Sequence, residues 1–284
     1  MGTHTGADGT TLHYDEVGTG DRTPLLTLAG GAARHPEYLG DLDGLADRYP
    51  LVVPHLRGVG RTALAGDASY WGQASDVESL RGHLGLDRVV LLGHSAGTRL
   101  ATAYAARFPD RVAAMVLICP SPRPLVDVPS DAEAIMDRRR GDPVVDAALA
   151  TRLAGPGDGQ VEEWYRRTAP LVYATWGERE RVHAARARWY PAAAEAYFSV
   201  DPPPDFASRM RSLTAPVLVV AGAEDCVTGL APVLALARLF PAGQLALLES
   251  CGHFPWIEQP EAFHAAVGPF LDAQTRIDGP RWAT

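Results

Sequence analysis

The stretch Val89-Val90-Leu91-Leu92-Gly93-His94-Ser95-Ala96-Gly97 decides how the rest of the chain is read. Its four leading apolar residues predict a strand over 89–92, and the alanine-rich periodic run from 96 to 108 predicts a helix directly after it. Between the two, a G-x-S-x-G sets a serine on a tight strand-to-helix turn, where a strained backbone lifts the hydroxyl above the sheet. Gly93 and Gly97 leave room for that turn. The helix start also points free N–H groups and the positive end of its dipole toward developing negative charge, so the Ala96 N–H is placed to donate to an oxyanion. A bare G-x-S-x-G carries little information; with this strand before it and this helix after it, Ser95 is a candidate nucleophile.

Working outward, short apolar runs alternate with longer helical patterns, the mark of βαβ units and a mostly parallel sheet. Strands are predicted over 25–28, 51–54, 113–118, 217–221 and 245–248, and their continuous apolar character fits strands buried on both faces. Helices are predicted over 37–48, 74–84, 231–239 and 260–273, and the more alternating 11–17 reads as an antiparallel edge strand. From 120 to 213 the strand signals stop, and Trp164, Tyr165, Trp176, Trp189, Tyr190, Tyr197 and Phe198 appear among Ala, Arg and Glu. This segment reads as an inserted helical cap, broken at 155–159 by Gly-Pro-Gly-Asp-Gly, over a core made of 1–119 and 214–284. A mobile lid that selects the substrate is the expected role, since lids lay apolar walls over a polar catalytic floor.

At this point the chain resembles the α/β-hydrolase family, and the partners follow in that family's order of serine, acid, histidine. Gly222-Ala223-Glu224-Asp225 after one strand is similar to the family's G-x-x-D turn, and Cys251-Gly252-His253-Phe254 after the next is similar to its G-H-F/W loop. The resemblance implies Asp225, rather than its neighbour Glu224, as the acid and His253 as the base. It implies a second oxyanion donor in Ala29-Gly30-Gly31, where Gly31 takes the donor position and Ala29 replaces a usual histidine. His55-Leu56-Arg57-Gly58-Val59-Gly60 is similar to the D-x-R-G-x-G segment of proline-iminopeptidase-like hydrolases, with Arg57 read as scaffold. Trp176-Gly177-Glu178 is similar to the W-E segment with which proline iminopeptidases hold a substrate amine. Gly30, Trp176, Glu178 and Phe254 are therefore the candidate substrate contacts. Cys251-Gly252-His253 is also similar to carbon–carbon bond hydrolases, and a serine at the elbow excludes the dehalogenase and epoxide-hydrolase branches, which use aspartate.

The implied reaction is hydrolysis of a small-molecule ester or amide through an acyl-enzyme, with no cofactor and no metal. An aminopeptidase of the iminopeptidase type is the alternative; a lyase or cyclase, or a receptor without turnover, stands behind it. Composition narrows the rest. A chain of 284 residues, 46% hydrophobic, can bury one sizeable core. A net charge of −8 with scattered arginines argues against nucleic acid as partner, and the run Arg138-Arg139-Arg140 reads as a solvated helix face. The absence of a long apolar stretch argues against a membrane and against export, so a cytoplasmic protein is expected. Cys119, Cys226 and Cys251 are too few and too widely spaced for a disulfide framework, although Cys226 and Cys251 each lie beside a proposed catalytic residue.

Overall fold

The computed structural model describes residues 1–31, 34–157, 159–186 and 188–275. Its centre is an eight-stranded sheet in the order β1-β2-β4-β3-β5-β6-β7-β8. The strands β1 (Gly2–Thr5) and β2 (Thr11–Val17) run antiparallel, and β3 (Leu25–Leu28), β4 (Leu51–Pro54), β5 (Val89–His94), β6 (Val112–Ile118), β7 (Val217–Gly222) and β8 (Gly243–Leu248) are mutually parallel. Because side chains alternate along a strand, each inner strand feeds two cores. Leu91, Leu117 and Val219 pack with Leu100 and Tyr104 of α2 (Gly97–Arg107) beside α1 (Ala74–His83). Val90, Val116 and Val220 face the other way, onto Phe263 and Val267 of α11 (Pro260–Gln274). Burying each such aliphatic side chain contributes about 1.5–3 kcal/mol, which is why the inner strands are apolar on both faces.

Among the described residues six α-helices lie between β6 and β7: α3 (Ala132–Asp137), α4 (Pro143–Ala154), α5 (Val161–Thr168), α6 (Glu178–Ala184), α7 (Pro191–Tyr197) and α8 (Phe206–Arg211). Two short helices, α9 (Ala231–Ala237) and α10 (Pro255–Glu258), complete the set. The end of the insertion packs into the core itself, since Tyr197, Phe206 and Met210 belong to the same cluster as Leu100 and Tyr104. Of the arginine run, Arg138 and Arg140 are exposed, whereas Arg139 donates to the carbonyls of Pro170 and Leu171. Among the described residues no helix is long and apolar enough to cross a membrane.

Three elements differ from the sequence reading. The strand 11–17 is not the edge: β1 pairs outside it through a hairpin closed by Asp8 and by Gly9 in left-handed backbone. Only His4 of β1 is buried, so its composition gave no apolar signal. The predicted helix 37–48 is two single 3₁₀ turns, Pro36–Leu39 and Leu45–Asp47, separated by Gly40, Leu42, Asp43 and Gly44, all at positive φ. That run of positive φ cannot propagate a right-handed helix. Finally β8 is an edge strand rather than a doubly buried one, with Leu245 44% and Leu247 42% exposed.

Two hydrogen-bonded networks built on carboxyl groups hold loops against this sheet. Arg57 donates to Asp76 at 2.7 and 2.8 Å, to Asp8 at 2.9 and 3.0 Å and to the Ala65 carbonyl, binding the loop after β4 to the β1–β2 hairpin and α1. Glu258 of α10 accepts the backbone N–H groups of Gly252 (2.9 Å), Phe254 (3.0 Å) and, from the insertion, Ala174 (2.6 Å). Burial pushes its carboxyl up from 4.5 to about 7, against the pull of the three N–H donors. The folded chain therefore keeps a proton on Glu258 where the unfolded chain has lost it, so this group's contribution to stability declines as pH rises through that window. Wild-type protein should lose stability relative to Glu258→Gln between about pH 5 and pH 8, measured by urea unfolding. A stability difference constant across that range would contradict the burial account.

Candidate active site

Ser95 sits at the end of β5 with φ +52°, a left-handed backbone that a residue with a side chain rarely adopts. Its N–H donates to the Ile118 carbonyl (2.9 Å), and its carbonyl accepts from the Thr98 N–H (3.0 Å), so both flanks of the turn are fixed. The glycines on either side are there for space. A Cβ on Gly97 would lie 2.2 Å from the Leu28 carbonyl oxygen, and one on Gly93 would lie 3.0 Å from the Thr98 Cα. Tyr197 of α7 donates to the Ala96 carbonyl at 2.8 Å, clamping the turn from the insertion side.

Asp225 follows β7 and is buried; its carboxylate meets His253 Nδ1 at 2.9 Å. The same carboxylate accepts from the Thr228 hydroxyl (2.7 Å) and the Val227 N–H (2.8 Å). Burial alone would raise the Asp225 carboxyl, but the His253 imidazole, the Thr228 hydroxyl and the Val227 N–H outweigh it and hold it below the usual carboxylate range. With Nδ1–H committed to Asp225, His253 Nε2 is left as the basic nitrogen. Ser95 and His253 line one cavity, although among the described residues neither Ser95 Oγ nor His253 Nε2 has a hydrogen-bond partner. Glu224 is half-buried, and among the described residues its carboxylate has no contact with His253.

A chain of hydrogen bonds joins the three loops that meet here. The Gly30 N–H donates to the Tyr38 hydroxyl (2.6 Å), the Tyr38 hydroxyl to His94 Nδ1 (2.7 Å), and His94 Nε2–H to the His253 carbonyl (2.9 Å). The order of donors is forced, because burial holds the His94 imidazole well below its ordinary value and hence neutral, with one N–H. Tyr38 thus braces the glycine loop in place of the histidine that Ala29 lacks. With the Gly30 N–H used in this way, the free backbone donors are Gly31 and Ala96, neither of which has a partner among the described residues. Gly31 has φ +71°, and a Cβ there would lie 2.7 Å from that of Arg34.

The cavity has a volume of about 620 Å³. Ser95, His253 and Gly31 lie in its wall together with Tyr38, Tyr165, Tyr173, Trp189 and Phe254. Tyr165 stacks on Trp189 at 4.0 Å, and the backbone of Arg34 forms an isolated bridge with Trp189, so the insertion is tied to the glycine loop. One cation, Arg34, is buried in that wall with its guanidinium carbon 4.0 Å from the Tyr38 ring centroid and 5.4 Å from that of Phe254.

The four candidate substrate contacts fare differently. Phe254 lines the cavity, 3% exposed. Gly30 lies against Ser95, where a Cβ would come within 2.8 Å of the serine's own, and its N–H is taken by Tyr38. Trp176 packs on Tyr173 outside the cavity wall, 5.4 Å between ring centres. Glu178 starts α6, with its side chain 83% exposed and paired with Arg181 at 3.3 Å. Glu178 thus stands outside the cavity wall with its carboxylate in solvent, so the W-E part of the iminopeptidase likeness has no counterpart at Ser95. Cys226 donates to the Leu171 carbonyl and Cys251 to that of Gly252, and all three cysteines are free thiols. Donor atoms of Cys119, Asp225 and His253 lie within 4.8 Å of one another; Asp225 and His253 are engaged with each other, and burial raises the Cys119 thiol well above its usual value. Sequence reasoning missed Arg34, Tyr38 and Glu258. Each is an isolated polar residue in a loop or short helix, with no periodic pattern to mark it.

A sequence profile of the α/β-hydrolase fold matches residues 23–260. Among curated relatives, a proline iminopeptidase of Heyndrickxia coagulans is 27% identical, the alignment covering 92% of this chain and 93% of that one. A 2-hydroxy-6-oxo-2,4-heptadienoate hydrolase of Pseudomonas putida is 29% identical over 94% of this chain and 95% of its own. Among solved structures, a thermophilic esterase from Thermogutta terrifontis superposes with a TM-score of 0.69 at 28% identity, covering 96% of this chain and 98% of that one. All three are similar to this chain along nearly its full length, and the chain belongs to the α/β-hydrolase fold family.

Proposed function

We propose that this protein is a serine hydrolase that cleaves a small-molecule ester through an acyl-enzyme, with Ser95 as nucleophile, His253 as general base and acid, and Asp225 as the orienting carboxylate. The observation that carries the reading is the 2.9 Å contact between His253 Nδ1 and buried Asp225, in a cavity whose wall holds Ser95. In the first half-reaction Ser95 Oγ attacks the substrate carbonyl carbon while its proton passes to His253 Nε2. The tetrahedral oxyanion accepts from the Gly31 and Ala96 N–H groups, each such donor worth about 3–4 kcal/mol of transition-state stabilisation. The bond to the leaving alkoxide then breaks, and His253 returns its proton to that oxygen. A water, deprotonated by His253, attacks the acyl carbon and releases the acid and Ser95.

An ester is favoured over an aminoacyl amide because, among the described residues, no buried carboxylate lines the cavity, and Asp225 is already engaged by His253. Glu162 and Glu163 line the cavity but are exposed, and Glu163 is paired with Arg166. The helical insertion supplies Tyr165, Trp189 and Tyr173 to the wall, so we assign it the role of a cap that selects the substrate. Its removal should change selectivity more than chemistry.

Two kinetic comparisons test the assignment. Ser95→Ala and His253→Ala should each lower kcat on a responsive p-nitrophenyl ester by about 10⁴- to 10⁶-fold, and the double variant should be no worse than either single one. Retention of more than a tenth of wild-type activity in both single variants would overturn it. Asp225→Asn should cost about 10²- to 10⁴-fold, far more than Glu224→Gln, because only Asp225 fixes the imidazole tautomer. Steady-state kinetics with the two in reverse order would move the acid to Glu224.

A further inference from the structure

Arg34 is a buried cation in the cavity wall for which the hydrolytic mechanism has no use. The residue is 6% exposed, and its Nε is fully buried with no hydrogen-bond partner. Among the described residues no carboxylate lies within 4.0 Å of the guanidinium. Glu37, on the same loop, has its carboxylate taken by Arg188 at 2.9 and 3.1 Å. The acids that share the cavity, Glu162 and Glu163, stand in its exposed portion. What surrounds Arg34 is aromatic: Tyr38, Phe254 and Trp189, the last 5.6 Å from the guanidinium carbon.

A buried cation costs several kcal/mol of desolvation, and removing its carboxylate partner leaves that cost uncompensated. Ring faces recover part of it. An arginine nonetheless stays charged in proteins, because its intrinsic basicity survives even strong desolvation, so neutralisation is not open to it. The missing partner is then a ligand. A second buried donor points the same way: Trp189 Nε1, on a ring that lines the same cavity, also has no hydrogen-bond partner.

We infer that Arg34 anchors a carboxylate of the substrate, so that the ester cleaved at Ser95 carries a second, negatively charged carboxyl group. A single guanidinium offers a planar fork that matches one carboxylate and neutralises one charge. Among the described residues the other arginine of the cavity wall, Arg166, is exposed and paired with Glu163, so Arg34 has no second buried arginine beside it of the kind a dianionic phosphate would demand. The inference rests on the serine-hydrolase reading for the reaction, but not for the binding.

The test uses the monomethyl esters of succinic, glutaric and adipic acid, each set against the methyl ester of its ω-amide, which matches it in size and lacks the charge. Wild-type kcat/KM should favour the anionic ester of the best-fitting length by about 10- to 100-fold, the worth of a charge-assisted hydrogen bond. That ratio should fall toward one in Arg34→Gln and recover in part in Arg34→Lys. Binding is measured separately by titration calorimetry on Ser95→Ala protein, where the anion should bind at least about tenfold more tightly than the amide. Equal or weaker binding of the anion at every length overturns the anchor, whatever the turnover. Tighter binding of the anion with no hydrolysis of either ester by the wild type keeps the anchor and rejects the serine-hydrolase reading. Because the wild-type preference is read on unaltered protein, the outcome does not depend on Arg34→Gln folding.

Discussion

The left-handed backbone of Ser95 is the constraint on which the site depends. A non-glycine residue in that region costs about 1–3 kcal/mol and persists only where the surroundings over-determine it. Here they do. The β5 strand is paired on both sides, by β3 and β6, so the turn begins from a fixed point. Its exit is fixed by α2, whose first residue must be glycine because the Leu28 carbonyl occupies the space of a Cβ. The strain is held by sheet and helix, and the serine hydroxyl is left at the cavity with its direction set by the fold rather than by a partner of its own.

From that fixed point the neighbouring loops are aligned by buried polar contacts. The chain from Gly30 through Tyr38 and His94 to the His253 carbonyl links the glycine loop, the serine turn and the histidine loop in one hydrogen-bonded path. Every member is buried, so each link broken would leave a polar atom desolvated without compensation. Glu258 adds a second brace by taking the two N–H groups that flank His253, those of Gly252 and Phe254. Its third contact, to Ala174, couples the histidine loop to the insertion, so the two share one carboxyl group.

The parts of this arrangement that were legible in the sequence are those with local signatures. Doubly buried strands read as apolar runs, and the serine turn and Asp225 each stand at the end of one, with His253 after the apolar run of the edge strand β8, in a fixed order and with glycines that mark sharp turns. The glycine loop was readable as far as its backbone donors. What escaped was fixed by tertiary contact. The segment 37–48 carries helical periodicity, yet it is pinned at Leu42 and Asp43 into positive φ. Trp176 and Glu178 have suitable chemistry but face away from the cavity. Arg34 is indistinguishable in sequence from a solvated surface arginine, and only its burial among three rings sets it apart. A cation among aromatics without a carboxylate has no one-dimensional signal.

The central claim is that Ser95 is an activated nucleophile in this cavity. Its most direct measure is covalent labelling by a fluorophosphonate, followed by peptide mass mapping. The account predicts a single phosphonyl adduct on the peptide carrying Ser95, strongly reduced in His253→Ala and absent in Ser95→Ala. An unlabelled wild-type protein, or label that persists on another residue when Ser95 is replaced, would contradict it.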